Sequence, residues 1–342
     1  GEVLKPENCI GTGPYKFGKW VQGEYIRLDR FDGYVARNEP PNGRAGKKVA
    51  YFDHVEFHVV QEVAAAVNGV KAGQFHFGLS LPADLYRTYA KDPTIQVVKL
   101  EPTYWCQIFF NTKQGVCANQ GLRQAILAVL NMEEILISAF GELGEVQGSL
   151  FPKSTPWYVT GGLEKYNQKN PKLGWQLAQK AGYKGEKIRM LVGTQWPQND
   201  LSQVVAKQLK DAGFNVDFLV YDWAALVALR AKPENWDLFI TSGSAVYYDP
   251  AISYWLSSTY PGWWDTPEKN AILKEFVTKV DFKERLDVWS KFQELFYTQI
   301  PIIKFGDYYV LQLAATQDKV KGFGTKTHPV QTFVYAWNMW FP

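Results

Sequence analysis

Two histidines offer the first opening for chemistry. His54 and His58 stand four residues apart in His54-Val55-Glu56-Phe57-His58, where a period of two puts both on one strand face. A metal would need further donors. No cysteine lies nearby and no third histidine is within sequence reach, so a solvated strand face is the better reading and no metal site is expected. The three cysteines, Cys9, Cys106 and Cys117, form no C-x-x-C pair. That odd count makes neither a zinc site nor a disulfide framework; a Cys106–Cys117 bridge in an oxidising compartment and buried free thiols are the two alternatives. There is no nucleophile elbow and no phosphate loop. A carbohydrate-active enzyme would still need two carboxylates positioned across a cleft. No cofactor is expected. The chain holds 13 Trp and 19 Tyr, and amphipathic rings in that number suit a surface that wraps a small organic solute as well as a core.

Composition narrows the field. The 342 residues are 46% hydrophobic and 21% charged, enough for two domains with a core in each. A net charge of +3 with no long basic run gives no electrostatic case for nucleic acid. No stretch approaches the ~18 apolar residues of a membrane span. The opening Gly1-Glu2-Val3-Leu4-Lys5 has neither an initiator Met nor an apolar leader, so a processed chain, or a piece of a longer one, is expected.

The elements that must position any site follow from periodicity. Tyr15–Trp20, Tyr25–Asp29, the run around Val55, Phe57 and Val59, and a segment holding Phe75 and Phe77 read as strands. A short helix from Glu62 to Val67 precedes Gly73. Leu122, Ile126, Val129, Leu130 and Ile135 form one stripe, predicting a single long amphipathic helix. Then strands and helices alternate: a helix from Leu173 to Ala181; a strand at Ile188, Met190 and Val192; a helix capped by Asn199; a strand at Val216, Phe218 and Val220; a helix from Ala224 to Ala231; and a strand from Trp236 to Thr241. A last helix, Lys283 to Thr298, and two strand-like runs follow. This is an α/β pattern with βαβ units and a mixed or parallel sheet. Ligands of such sheets bind beyond the carboxyl ends of the strands, which points to the turns Tyr221-Asp222-Trp223 and Ser242 to Asp249.

The order of motifs is similar to that of the dipeptide, oligopeptide and nickel-type (family 5) extracellular solute-binding proteins of ABC importers. The stretches that carry the resemblance are Gly11-Thr12-Gly13-Pro14-Tyr15, Ala72-Gly73-Gln74-Phe75-His76, Phe110-Asn111-Thr112 with Leu122-Arg123-Gln124-Ala125-Ile126, Ala181-Gly182-Tyr183, Leu209 to Val216, and Lys319 to Phe323. The resemblance covers essentially the whole chain and implies a two-lobe clamshell of the type II kind. Residues 1–108 would belong to lobe I, 109–308 to lobe II, and 309–342 would return to lobe I, with hinge strands near Thr103–Asn111 and Ile303–Leu311. In the family the Gly-Thr-Gly-Pro-Tyr signature lies well inside the chain. Here it begins at residue 11, so the N-terminal part of lobe I and an extra small domain are expected to be absent.

The same resemblance supplies candidate ligand contacts. Trp223 matches a family Trp that lines the peptide pocket of dipeptide binders; a core Trp opening a helix is its plain alternative. Aligned through Asp249-Pro250, the family Trp becomes Gly243 and the Asp that pairs with a ligand's amine becomes Val246. Without that carboxylate a buried ammonium would be left unpaired, so ordinary peptide recognition there is disfavoured. Ser244, Tyr247 and Tyr248 stand in the same turn, where the tyrosines could take over by stacking or hydroxyl hydrogen bonds. Asp249 reads more readily as a helix cap than as a ligand contact. One of Tyr104 and Trp105 should face the cleft, because strand neighbours point oppositely. Trp157-Tyr158 and Trp263-Trp264 are rim candidates or residues packed under loops. The expected function is capture of a small organic solute, an oligosaccharide, opine or aromatic compound, by a monomeric protein that is not an enzyme. Such a protein would be exported to the periplasm or another extracytoplasmic site, as family members are, often with a lipid anchor, would use the missing N-terminal segment, and would deliver to an ABC permease. Peptide is the alternative solute, and a sensory or chaperone-like interaction protein the alternative class.

Overall fold

The computed structural model describes residues 8–42, 45–81, 83–99, 104–244, 249–315, 320–322 and 336–341. The chain forms two compact units, Gly1–Glu101 with Val310–Pro342, and Pro102–Tyr309. In the first, β1 (Tyr15–Val21), β2 (Tyr25–Arg30) and β3 (His54–His58) make an antiparallel sheet in that order. Gly23, at φ +79°, takes the turn between β1 and β2. Helix α1 (Val63–Lys71) buries Val67 and Val70 and ends before Gly73, whose φ of +77° suits a helix stop. Then come β4 (Phe77–Leu81), the single turn α2 (Tyr86–Tyr89) and β5 (Ile95–Lys99). Phe75 lies outside β4; its amide bonds back to Gly69.

The second unit is built on a six-stranded sheet. Its elements run β6 (Tyr104–Phe110), α3 (Gln120–Val129), α4 (Met132–Phe140), β7 (Gly144–Glu145), α5 (Pro171–Lys180), β8 (Ile188–Gly193) and α6 (Gln198–Asp211). They continue with β9 (Val216–Tyr221), α7 (Trp223–Arg230), β10 (Leu238–Ser244), α8 (Pro267–Thr278), α9 (Phe282–Gln299) and β11 (Ile302–Tyr308). The strand order is β7-β11-β6-β10-β8-β9. β10, β8 and β9 are parallel, while β6 pairs antiparallel with both β10 and β11. The chain then re-enters the first unit as β12 (Leu311–Ala315), which lies between β4 and β5. Val320, Ala336 and Met339 pack there against Tyr15, Phe52, Val55 and Phe77.

Two local expectations are corrected. The single helix through Leu122 and Ile135 is two, because Leu130 turns extended and Asn131 takes the cap position of α4. Asn167 accepts the Met132 amide at 2.9 Å and secures the break. Asn199 does not cap α6, which begins at Gln198 after Pro197; its side chain instead accepts from Gln203 within the helix. One boundary is set by a side-chain partner distant in sequence and the other by a proline, neither of which apolar periodicity registers. Cys106 and Cys117 are buried free thiols, and burial raises both.

Buried polar groups fasten the second unit. Asp237, 1% exposed, accepts the Arg189 Nε at 2.9 Å, the Arg189 amide at 2.8 Å and the Val116 amide at 3.1 Å. A Cβ on Gly115 would come within 2.1 Å of that carboxylate, so the glycine admits it. Arg123 spends its guanidinium on the carbonyls of Gln299, Ile300, Cys117 and Ala118, closing the C-terminal end of α9; burial lowers it to about 10. Lys304 and Asp307, both 1% exposed, pair at 2.6 Å in β11. Burial pushes Asp307 up and Lys304 down. Removing one partner leaves the other charge uncompensated, so Asp307→Asn should cost about 3–5 kcal/mol in denaturant unfolding. The double variant Lys304→Met/Asp307→Asn should recover most of that loss.

Candidate functional site

The crossovers of the second unit create its main recess. From β8 the chain passes through α6 to β9 on one side, and then through α7 to β10 on the other. Right-handed crossovers in opposite directions open a crevice at the carboxyl end of the strand between them. β10 pairs with β8 through Leu238 and Phe239 and then runs on to Ser244, so Thr241 and Ser242 flank the turn that leaves β8. The resulting recess, about 570 Å³, is lined by Thr194, Gln195, Gln198, Trp223, Thr241 and Ser242. Trp223 is the first residue of α7, which Asp222 caps by accepting the Ala225 amide at 3.0 Å. Its ring stays 41% exposed. The lining side chains carry hydroxyls, amides and one indole, and no carboxylate.

Arg230 adds a cation. Its guanidinium carbon lies 5.2 Å from the Trp223 ring centroid, 5.5 Å from Phe239 and 5.7 Å from Tyr260. Tyr254 and Tyr260 approach to 4.8 Å. The Tyr254 ring is 37% exposed, but its hydroxyl end is tucked over Gly243, where a Cβ would meet the oxygen at 2.2 Å. Burial there raises the Tyr254 phenol. Gly243 stands where the family resemblance places a Trp, and Tyr254 occupies the space that any side chain at 243 would require. Gln107 pairs across from Thr241 on the same sheet face. Gln107 is fully buried and its Oε1 finds no hydrogen-bond partner among the described residues.

The other expected residues fall in different settings. Trp105 is 1% exposed, edge-on to Trp255 at 5.8 Å, with the Lys304 ammonium 5.5 Å from its ring. Tyr104 points to the opposite face, half-buried beside Tyr308 at 5.8 Å. Ser244 pairs with Tyr104 in the ladder. Asp249 accepts the Ala251 amide at 3.0 Å and pairs with Arg285 at 2.6 Å. Burial raises its carboxyl, yet the Arg285 and Ala251 hydrogen bonds prevail and hold it below the ordinary value. Val246, Tyr247 and Tyr248 lie outside the described residues. Trp157 and Trp264 are buried, and Trp263 stacks on Trp236 at 5.6 Å. Thr194, Gln195, Arg230 and Tyr254 were missed. Arg230 had a signal, seven residues after Trp223 on the same helix face; Thr194 and Gln195 follow β8, the first of the three parallel strands, where the carboxyl-end rule applies equally.

A second recess, about 450 Å³, lies within the first unit and is lined by Phe52, His54, Phe57, Phe75, His76 and Phe341 among others. It borders β3 and β4, each an edge strand of its sheet. His58 contacts Glu56 at 3.0 Å, and no group of three or more potential metal ligands gathers among the described residues. The first recess sits where the strand topology requires a binding crevice; this one does not.

An α/β sheet with a polar-aromatic crevice at its switch point suits the binding of a small solute. The chain belongs to the bacterial extracellular solute-binding proteins, family 5, whose middle-region model matches residues 3–265. It is 29% identical over 323 residues to the probable peptide ABC transporter periplasmic-binding protein y4tO of Sinorhizobium fredii, covering 87% of this chain and 60% of that protein. It is also 29% identical over 284 residues to the oligopeptide-binding protein AppA of Bacillus subtilis, covering 78% of this chain and 47% of AppA. The chain thus spans less than two thirds of these relatives. AppA, solved with a nonapeptide, superposes with a TM-score of 0.77 at 21% identity, covering 98% of this chain and 68% of that one. AgaA from A. tumefaciens R10, solved with agropinic acid, gives 0.77 at 22% identity, covering 96% and 67%. These relatives are binding proteins of transporters, not enzymes. No helix among the described residues is long and apolar enough to cross a membrane.

The burial difference between the two tryptophans is testable. Trp105→Ala should destabilise the fold by about 3–5 kcal/mol through the cavity it leaves. Trp223→Ala should cost under about 1 kcal/mol in the same denaturant titration while weakening solute binding. Equal losses would mark Trp223 as core.

Proposed function

We propose that this chain is the solute-capturing part of an exported binding protein that serves an ABC permease, and that its solute is a non-peptide organic molecule. An oligosaccharide, an opine or an aromatic compound fits. The observation that carries this reading is the crevice at Trp223, which offers stacking, amides and hydroxyls but no carboxylate for a peptide's amine. AgaA, whose structure holds agropinic acid, supports a non-peptide solute on this fold. The names of y4tO and AppA favour peptide as the second reading.

An N-terminal segment of the same protein would complete the first unit. The chain's share of its relatives' length supports this, as does the recess between the edges of β3 and β4. We place the mature protein in the periplasm, as a monomer, with a lipid anchor as one way of holding it at the membrane.

Native mass spectrometry of the full-length protein, before and after denaturation, tests the reading. The expected result is a released non-peptide mass, with saturable calorimetric binding of agropinic acid and none of unblocked tri- to pentapeptides. Tight, saturable peptide binding would overturn it.

A further inference from the structure

The second unit contains four arginines, at positions 123, 189, 230 and 285. Three are engaged inside the fold, two by carboxylates and one by backbone carbonyls. Arg189 pairs with Asp237 at 2.9 Å and Arg285 with Asp249 at 2.6 Å. Arg123 is spent on backbone carbonyls. Arg230 differs: no carboxylate of a described residue lies within 4.0 Å of it. Its neighbours are the faces of Trp223, Phe239 and Tyr260, and the Tyr260 phenol shares a hydrogen bond with it.

The position of the charge is informative. Arg230 ends α7 while Trp223 begins it, about 10 Å apart along the axis at 1.5 Å per residue. Its head nevertheless reaches the Trp223 ring, because helical side chains lean toward the N-terminus. The charge is thereby carried away from the C-terminal carbonyls of its own helix, which would have been its natural partners, and toward the solute crevice. Three aromatic rings hold a guanidinium in place by cation–π contact and still leave its in-plane N–H donors available. Near it, the Tyr254 hydroxyl lies over Gly243.

We infer that this crevice recognises an anionic group of the solute, a carboxylate set on a ring or polyol body, with Arg230 donating to the carboxylate and Trp223 stacking on the body. This rests on the solute-binding reading of the same crevice and narrows it to acidic solutes. The anion would supply the counter-charge that the fold withholds from Arg230. The absence of carboxylates from the lining then has a positive meaning, since an acid in the crevice would repel the solute and compete for the arginine.

Benzoate and benzamide share a ring and a size and differ in charge, so they separate the two contributions. In the full-length protein, quenching of tryptophan fluorescence should saturate with benzoate at a Kd at least about tenfold below that of benzamide, the scale of a charge-assisted contact. Arg230→Gln should abolish the preference, so that benzoate and benzamide bind that variant alike, and Arg230→Lys should keep part of it. Trp223→Ala should weaken both compounds alike, with circular dichroism confirming that each variant is folded. Equal binding of the two compounds, saturable binding of neither, or a preference that survives Arg230→Gln overturns the inference. If Trp223→Ala still weakens both in that case, the crevice remains the binding site and only its preference for acids falls. If Trp223→Ala changes nothing, the crevice reading falls with it.

Discussion

The ladder that holds β6 between β10 and β11 is the constraint on which the second unit depends. From Trp105 to Phe110 every residue of β6 is buried, so its backbone groups must be satisfied by neighbouring strands. β10 and β11 supply them from far along the chain, with Ile240 and Ile303 both opposite Ile108. The register follows from this pairing. A slip of one residue would turn Trp105 and Gln107 to the wrong face and bring Cys106 and Ile108 into their places. Because β10 is pinned along β6, it projects past the end of β8, and that projection makes the crevice.

Charge in this unit is distributed with the same economy. Asp237 ties the entry of β10 to Arg189 at the start of β8 and to the loop at Gly115. Arg123 ties α3 to the end of α9, and Lys304 with Asp307 braces β11 from inside. Each of these groups is buried or half-buried and fully committed to structure. Among the described residues no carboxylate lies within 4.0 Å of Arg230. A rigid scaffold surrounding a polar group that is held in place but not neutralised is what recognition of a charged solute requires.

The bare backbone at Gly243 leaves a hollow on the sheet face. Tyr254 leans over the glycine and fills it, with the hydroxyl end inward and the ring still partly exposed. A ring from the following turn thereby covers the strand at Gly243.

Most of the fold was legible in the sequence, because alternation and helical stripes report which faces are buried. The strands at Tyr15, Tyr25, Val55, Ile188 and Val216 and the helices from Leu173 and Lys283 were all readable in this way, and the alternation with single helices implied the parallel core. The ordered motifs identified the family, and the carboxyl-end rule brought Trp223 and Ser242 to one place. Pairing partners were not legible. Whether a helix continues past Leu130 depends on Asn167, and whether Trp105 is solvent-facing depends on Trp255 and Lys304, contacts made across many tens of residues. Only tertiary structure decided that Arg230, unlike Arg123, Arg189 and Arg285, meets aromatic faces and neither a carboxylate nor a backbone carbonyl among the described residues, because partnership is a property of neighbours in space and no local pattern encodes it.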